Sequence, residues 1–393
     1  MQPLKSLTVI DLTEGNYFAG SMFADYGATV IKIEKPDLGD KLRQRGRPGE
    51  EGRYHSYYDR AKKSITLDIS TSEGQEILKK LVQNADMFLT NISLEKISEY
   101  DISYETLKAL KPDLVYGLLT PFGEEGPWKD YPDYNLLVMS RSGLQENTGF
   151  PEEPTRLGFP LSYMYSGWLL SAGMLAAYIR AKKTGEGAKV SNSSWHMMMS
   201  VDDTYVENLL GLNVLPKRIG NGFPTTNPTD TFRCKNGWFS LSIGTDKQWI
   251  SFARECGRDD WAEDPKYAHD PARSMENYFG DLDQQLNDFF KTITVQEADE
   301  ICRRAMVPGG PCNTIAELIE DEQVASREMI LEMEDSNGQK SLQIGKAAKF
   351  SKENEMDNNL APAPELGEHT EEILNQLGIN QEERVLLKKQ GII

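Results

Sequence analysis

The chain has 393 residues, 39% of them hydrophobic and 26% charged, with a formal net charge of −18; this is enough chain for two domains and at least one large core. So acidic a protein makes a poor partner for nucleic acid or an anionic membrane, because phosphate contacts depend on positive charge. The longest apolar stretch, Trp168 to Ile179, is shorter than the roughly 20 residues of a spanning helix, and Met1 to Leu12 lacks the regions of a signal peptide. The composition therefore predicts a soluble protein. Four scattered cysteines (Cys234, Cys256, Cys302 and Cys312), without a CxxC pair or a nearby histidine at metal-ligand spacing, predict reduced thiols in a cytoplasmic setting and no metal site.

Strand and helix signals alternate through the first 120 residues. Leu7 to Leu12 predicts a strand, Phe18 to Tyr26 a helix ended by Gly27, and Ala28 to Glu34 a second strand. Ser64 to Ile69 follows, then a helix opened at Thr71 and running to about Asn84. Ala85 to Thr90 and Leu114 to Leu119 are further apolar strands. Such alternation implies an α/β fold, a parallel sheet covered by helices. The first loop carries only Gly15 and lacks the spaced glycines of a dinucleotide site.

Gly167 to Lys182 is apolar almost all round and predicts a buried core helix. Ser200 to Leu212 predicts another helix. Residues 213–228, rich in Pro, Gly and Asn, read as a linker. A helix-rich unit follows at 229–326, with a strand at Trp238 to Ile243 and helices near 247–256, 277–291 and 294–306. Residues 1–212 are thus the first part of a large domain, and 327–393 a return segment that completes it. That segment holds a β-like stretch from Ser341 to Phe350, the Ala361-Pro-Ala-Pro364 linker and a helix from Glu365 to Leu377 stopped by Gly378.

A set of segments in fixed order then stands out: ADYGATVIKIEKP (Ala24 to Pro36) followed by Gly39-Asp40, KKSITLDISTSEG (Lys62 to Gly74), ADMFLTN, YETLKALKPDLVYGLLTPFGEEGP, SGWLLSAGMLAA, KTGEGAKVS, GGPCNTIAEL and APAPELGEHTEEIL. Together they resemble the class III CoA-transferases, the family of formyl-CoA, carnitine and bile-acid CoA-transferases, over essentially the whole chain. The resemblance implies a doubly wound, Rossmann-like large domain formed by both termini, with a small α+β domain inserted, and two chains threaded through each other as an interlocked dimer. It implies CoA or an acyl-CoA as substrate, with a small carboxylic acid as acceptor. It also implies positions that line the nucleotide end of the CoA site, which here are Lys35, Arg60, Lys62, Lys63 and Asn91; surface charge is the alternative reading of the lysines.

The family's chemistry, as the resemblance implies it, is nucleophilic catalysis by one aspartate. The carboxylate attacks the acyl-CoA carbonyl to give a mixed anhydride. The released thiolate attacks the aspartate's own acyl carbon, leaving an enzyme–CoA thioester, and an acceptor carboxylate reverses the steps. The family frame Gly-x-x-x-x-Asp-x-x-x-Gly here runs from Gly158 to Gly167, and Tyr163 stands at the aspartate position. Tyrosine has no acyl carbon and cannot hold CoA as a thioester. The same tyrosine, with Tyr134 at the position of a histidine, removes the acid–base pair of the related acyl-CoA racemases. The loop Thr13 to Tyr17 is about two residues shorter than in the family, and Glu99 falls near an arginine that meets CoA phosphates in some members. Glu152, Glu153, Asp202 and Asp203 lie outside the frame. No intact catalytic residue is expected. The sequence thus predicts a silent subunit paired with an Asp-bearing homologue, as in benzylsuccinate CoA-transferase with its two different subunits. A homodimeric enzyme with an unconventional site and a non-enzymatic acyl-CoA-binding protein remain the alternatives.

Overall fold

The structure, a computed structural model, describes residues 2–15, 18–48, 52–201, 203–223, 226–334, 340–350 and 360–393. Asn16 and Tyr17 of the shortened loop, Asp202, and residues 224–225 of the linker lie outside the described residues. The chain divides into two compact units, one of residues 1–144, 157–213 and 326–393, the other of 145–156 and 214–325.

The first unit is built on six strands: β1 (Thr8–Leu12), β2 (Thr29–Glu34), β3 (Lys63–Thr66), β4 (Met87–Thr90), β5 (Val115–Thr120) and β6 (Ala188–Ser193). All neighbours run parallel, in the order β3-β2-β1-β4-β5-β6. The first five are the apolar runs predicted from sequence, and they read as continuous hydrophobic stretches because both faces of the sheet are covered. Side chains alternate between the two faces. Ile10, Ile33, Phe88 and Leu118 pack on one side with Ile77, Leu78 and Leu81 of the helix Ser72–Gln83. Val9, Val30, Leu89 and Val115 pack on the other with Phe23 of the helix Ala19–Asp25 and with Leu170 and Met174 of the long helix Leu161–Thr184. The helix Ser72–Gln83 starts where the Thr71 side chain accepts a hydrogen bond from the Gly74 N–H, a cap worth about 1 kcal/mol.

Three predicted helices change. The long helix begins at Leu161 and so carries Tyr163 in its first turn. It is also not buried all round: Leu170, Ser171 and Met174 face the sheet, while Trp168, Leu169 and Ile179 are exposed in the single chain. Apolarity all round a helix marks every face, including one that no part of its own chain covers. The predicted helix at 200–212 is Asp203–Leu212, preceded by a separate helix Ser194–Val201. The expected 277–291 helix is two, Ala272–Phe279 and Leu282–Phe290.

The second unit has its own core. Strands Thr229–Arg233, Trp238–Ser242 and Gly309–Pro311 form an antiparallel sheet. Phe232, Phe239, Trp249, Trp261 and Phe290 pack beside it, Phe232 and Phe290 with ring centroids 4.6 Å apart.

The strand order of the first unit matters for function. From β1 the chain moves outward to β2 and β3, then returns to the other side of β1 to lay down β4. Where the order reverses, connections leave the carboxyl ends of two adjacent strands in opposite directions and open a crevice. Here that crevice lies beyond the ends of β1 and β4.

Candidate functional site

Beyond these strand ends lies a cavity of about 560 Å³, within the roughly 300–1,000 Å³ of small-molecule sites. Glu14 and Gly15 follow β1, and Asn91, Ile92 and Ser93 follow β4. Lys41 and Arg45 come from the segment after β2. Tyr163 enters from the long helix, beside Asp133 and Tyr134. A second cavity of about 240 Å³ shares Glu14, Ile92 and Lys96 and extends to Lys35, Asp68 and Tyr100.

Ionic pairs brace the wall behind. Lys32, on β2, places its Nζ 2.9 Å from Asp40 and donates to the Thr13 carbonyl. Lys62 lies 2.8 Å from both Asp11 and Asp59, and His55 Nδ1 lies 2.8 Å from Asp59. Arg43 grips Glu34 with two bonds of 2.7 Å. Burial alone would push the Asp11 and Asp59 carboxyls up. The Lys62 and Lys32 ammonium groups outweigh it and hold Asp11 below, and Asp59 well below, the usual carboxylate range. Burial would likewise push Lys32 down, but Asp40 and Asp11 drive it well above its ordinary value. Gly20 makes room for this cluster: a Cβ there would stand 2.1 Å from Asp11 Oδ2 and 2.9 Å from Lys62 Nζ.

The five positions matched to the nucleotide end separate sharply. Asn91 lines the cavity; its amide accepts from the Glu14 N–H and donates to the Glu14 carbonyl, both at 2.8 Å. Lys35 is exposed, borders the smaller cavity and lies 3.5 Å from Glu14. Lys63 faces outward to Glu372 at 2.7 Å. Arg60 and Lys62 are internal. Arg60 forms a double bond pair with Asp25 at 2.8 and 2.7 Å and donates to the Ile344 carbonyl at 2.6 Å. The fold therefore brings Lys35 and Asn91 to the cleft and puts Arg60 and Lys62 behind it. Glu99 is exposed on the helix Leu94–Glu99 and lines neither cavity. Glu152 and Glu153 fall in the second unit.

Tyr163 lines the larger cavity. Its hydroxyl accepts from the Asn135 N–H at 2.9 Å and donates to the Asp133 carbonyl at 3.2 Å. Burial, and then the Asp133 charge, push the phenol up to about 12, so only about one molecule in 10⁵ is phenolate at neutral pH. The group is a fixed hydrogen-bonding aromatic, and a nucleophile with no acyl carbon. Sequence reasoning missed five charged residues of the cleft: Glu14, Lys41, Arg45, Lys96 and Asp133. Lys41 had a local signal, since it follows Asp40, whose carboxylate caps a short helical turn by accepting from the Leu42 N–H. Among the described residues no cluster of His, Cys, Asp and Glu could hold a metal ion, and no helix is long and apolar enough to cross a membrane.

Residues 4–370 match CoA-transferase family III. The chain belongs to that family. Over 390 residues it is 30% identical to the succinate–glutarate CoA-transferase of Agrobacterium fabrum, covering 95% of this chain and 96% of that one. It is 27% identical to the formyl-CoA:oxalate CoA-transferase of Escherichia coli, covering 100% and 99%. A CAIB/BAIF family protein from Brucella suis has the same fold, with a TM-score of 0.83 at 30% identity and coverage of 96% and 99%. Relatives over the full length are thus CoA-transferases, and the mixed α/β fold with its parallel sheet is the family's.

Proposed function

We propose that this chain is a subunit of a CoA-transferase, itself lacking the thioester-forming aspartate and paired with a homologue that retains it. The observation that carries this reading is Tyr163, at the aspartate position, with its hydroxyl held by Asn135 and Asp133. Transfer through an enzyme–CoA thioester needs a carboxyl carbon at the reacting end of the cleft. A phenol can supply a hydrogen bond there but not that carbon. The subunit's cleft then binds a CoA ester without turning it over, with Lys35 and Asn91 at the nucleotide end. Arg60 and Lys62 act on that end only through the wall they brace, and Lys63 lies outside it.

The partner reading has its own support. Trp168, Leu169 and Ile179 on the long helix, and Leu209, Leu210 and Leu212 on the helix Asp203–Leu212, are large apolar side chains exposed in the single chain. Large apolar side chains left exposed on two helices point to an interface. An interlocked pair, each chain with a doubly wound, Rossmann-like large domain completed by its C-terminal segment around an inserted small domain, buries such surface. Activity then sits in the partner's site, in the cytoplasm.

Three experiments test the reading. The isolated chain, incubated with acyl-CoA and treated with hydroxylamine or borohydride, gives no enzyme–CoA adduct by mass spectrometry. An adduct on Glu14 or Asp133, the two carboxylates that line the cleft with Tyr163, would instead establish a homodimeric enzyme with an unconventional site. Co-purification from the native host recovers an Asp-bearing homologue. In the reconstituted complex, Tyr163→Asp leaves the rate nearly untouched, while removing the partner's aspartate abolishes it.

A further inference from the structure

Two of the cleft's cations, Lys35 and Lys41, already share an anion. Glu14 places its carboxylate 3.0 Å from Lys41 and 3.5 Å from Lys35, on the wall shared by the two cavities. Two features separate this contact from ordinary structural pairing. The main chain of Glu14 is held at both its N–H and its carbonyl by the Asn91 amide, so the loop position does not depend on the Glu14 side chain. The side chains are also open to solvent, 37% for Glu14, 56% for Lys35 and 81% for Lys41, and exposed pairs of this kind stabilise a fold very little. Asp40 and Glu34, two other carboxylates beside the smaller cavity, have cations of their own, Lys32 and Arg43. Glu14 is therefore spare as a strut, yet it sits on the two lysines that a polyanion entering the cleft would meet.

We propose that Glu14 is an internal counter-ion that competes with the diphosphate of an incoming nucleotide-bearing ligand for Lys35 and Lys41. The proposal rests on the reading that the cleft takes a CoA ester, and it makes Glu14 the residue that sets how weakly this chain holds one. Burial would push its carboxyl up, but the Lys41 ammonium, then Lys35, hold it below the usual range, so it is an anion at neutral pH, as the diphosphate is. Each ligand phosphate must displace a tethered carboxylate before it gains a lysine. The tether gives that carboxylate a high local concentration, which a free ligand must match.

The test is calorimetric titration of the full chain with ADP and, separately, with CoA. Replacing the carboxylate with an amide of the same shape, Glu14→Gln, should tighten ADP binding about 1.5- to 5-fold, the range of one exposed charge pair. Lys41→Gln should weaken ADP binding little in the native chain and several-fold more in the Glu14→Gln background, because only there is the lysine unoccupied; this coupling keeps the test sharp if one variant is less stable. Unchanged or weaker ADP affinity in Glu14→Gln, or strictly additive effects of the two substitutions, would overturn the proposal. The CoA arm separates it from the reading beneath. If ADP tightens while neither chain binds CoA, the counter-ion stands and the CoA-ester reading falls. If CoA and ADP each bind both chains equally, the reading stands and the counter-ion falls.

Discussion

Lysine is used in opposite ways on the two sides of the cleft wall. Behind it, Lys32 and Lys62 are almost wholly removed from water and each answers two or more acceptors. On the open side, Lys35 and Lys41 keep more than half of their side-chain surface in solvent and share a single glutamate. The neighbours Lys62 and Lys63, at the entry to β3, show the same divide one residue apart: one goes into the Asp11–Asp59 cluster and the other to Glu372 on the surface. Matching a lysine to a ligand-binding position thus says little until its depth is known. A buried lysine is committed to its carboxylates, whereas an exposed one can exchange them for a ligand.

The largest expected effect lies behind the wall. Lys62→Met leaves Asp11 and Asp59 without their shared cation and should cost about 3–5 kcal/mol of stability, measured by urea denaturation at pH 7. A loss below about 1 kcal/mol would erase the distinction between the two sets of lysines.

Acid should expose the same divide. The Asp11 and Asp59 carboxyls are held below their ordinary value in the fold, so the stability they contribute is complete above the unfolded carboxylate value of about 4 and is lost as pH falls through the folded values. Lys32 and Lys62 are raised in the fold; their contribution is complete below the unfolded lysine value of about 10.4 and is lost only as pH climbs through the folded ones. The urea midpoint should hold steady between about pH 5 and 9 and drop below about pH 4. A midpoint that rises on acidification from pH 5 to 3 would contradict the assignment.

The smallest effect belongs to the surface. Lys63→Ala removes a solvent-exposed pair with Glu372 and should change stability by less than about 0.5 kcal/mol. A loss approaching that of Lys62→Met would mean that this contact is not the weak surface pair its exposure implies.

What the sequence revealed follows the same physics. The strands β1 to β5 were legible because a sheet covered on both faces is apolar at nearly every position, as in Val9-Ile10 and Phe88-Leu89. The sixth strand, Ala188-Lys-Val-Ser-Asn-Ser193, was not, because it lies at the sheet's edge, where Lys189 and Ser191 turn to solvent. Tyr163 was legible from the frame around it. The roles of Asn135 and Asp133 were not, since they meet Tyr163 from about thirty positions upstream through main-chain atoms that carry no sequence signature. The depth of Arg60 was hidden for a similar reason: Asp25 and Ile344, its partners, lie 35 and 284 positions away.

The far edge of the sheet carries a consequence for how the protein is made. Among the described residues strand β3 has no neighbouring strand beyond it, and its outward groups are met by residues of the C-terminal segment. The His369 N–H donates to the Ser64 carbonyl at 2.9 Å, the Thr66 N–H donates to the Thr370 hydroxyl at 3.0 Å, and the Asp68 N–H donates to the Ile392 carbonyl at 2.8 Å. An uncovered strand edge is a template for pairing with other chains. At synthesis speeds of about 5–20 residues per second, roughly 300 residues pass between the ribosome's release of β3 and the arrival of its cover, an interval of some 15 to 60 seconds. During that time the nascent chain carries this edge without its C-terminal cover.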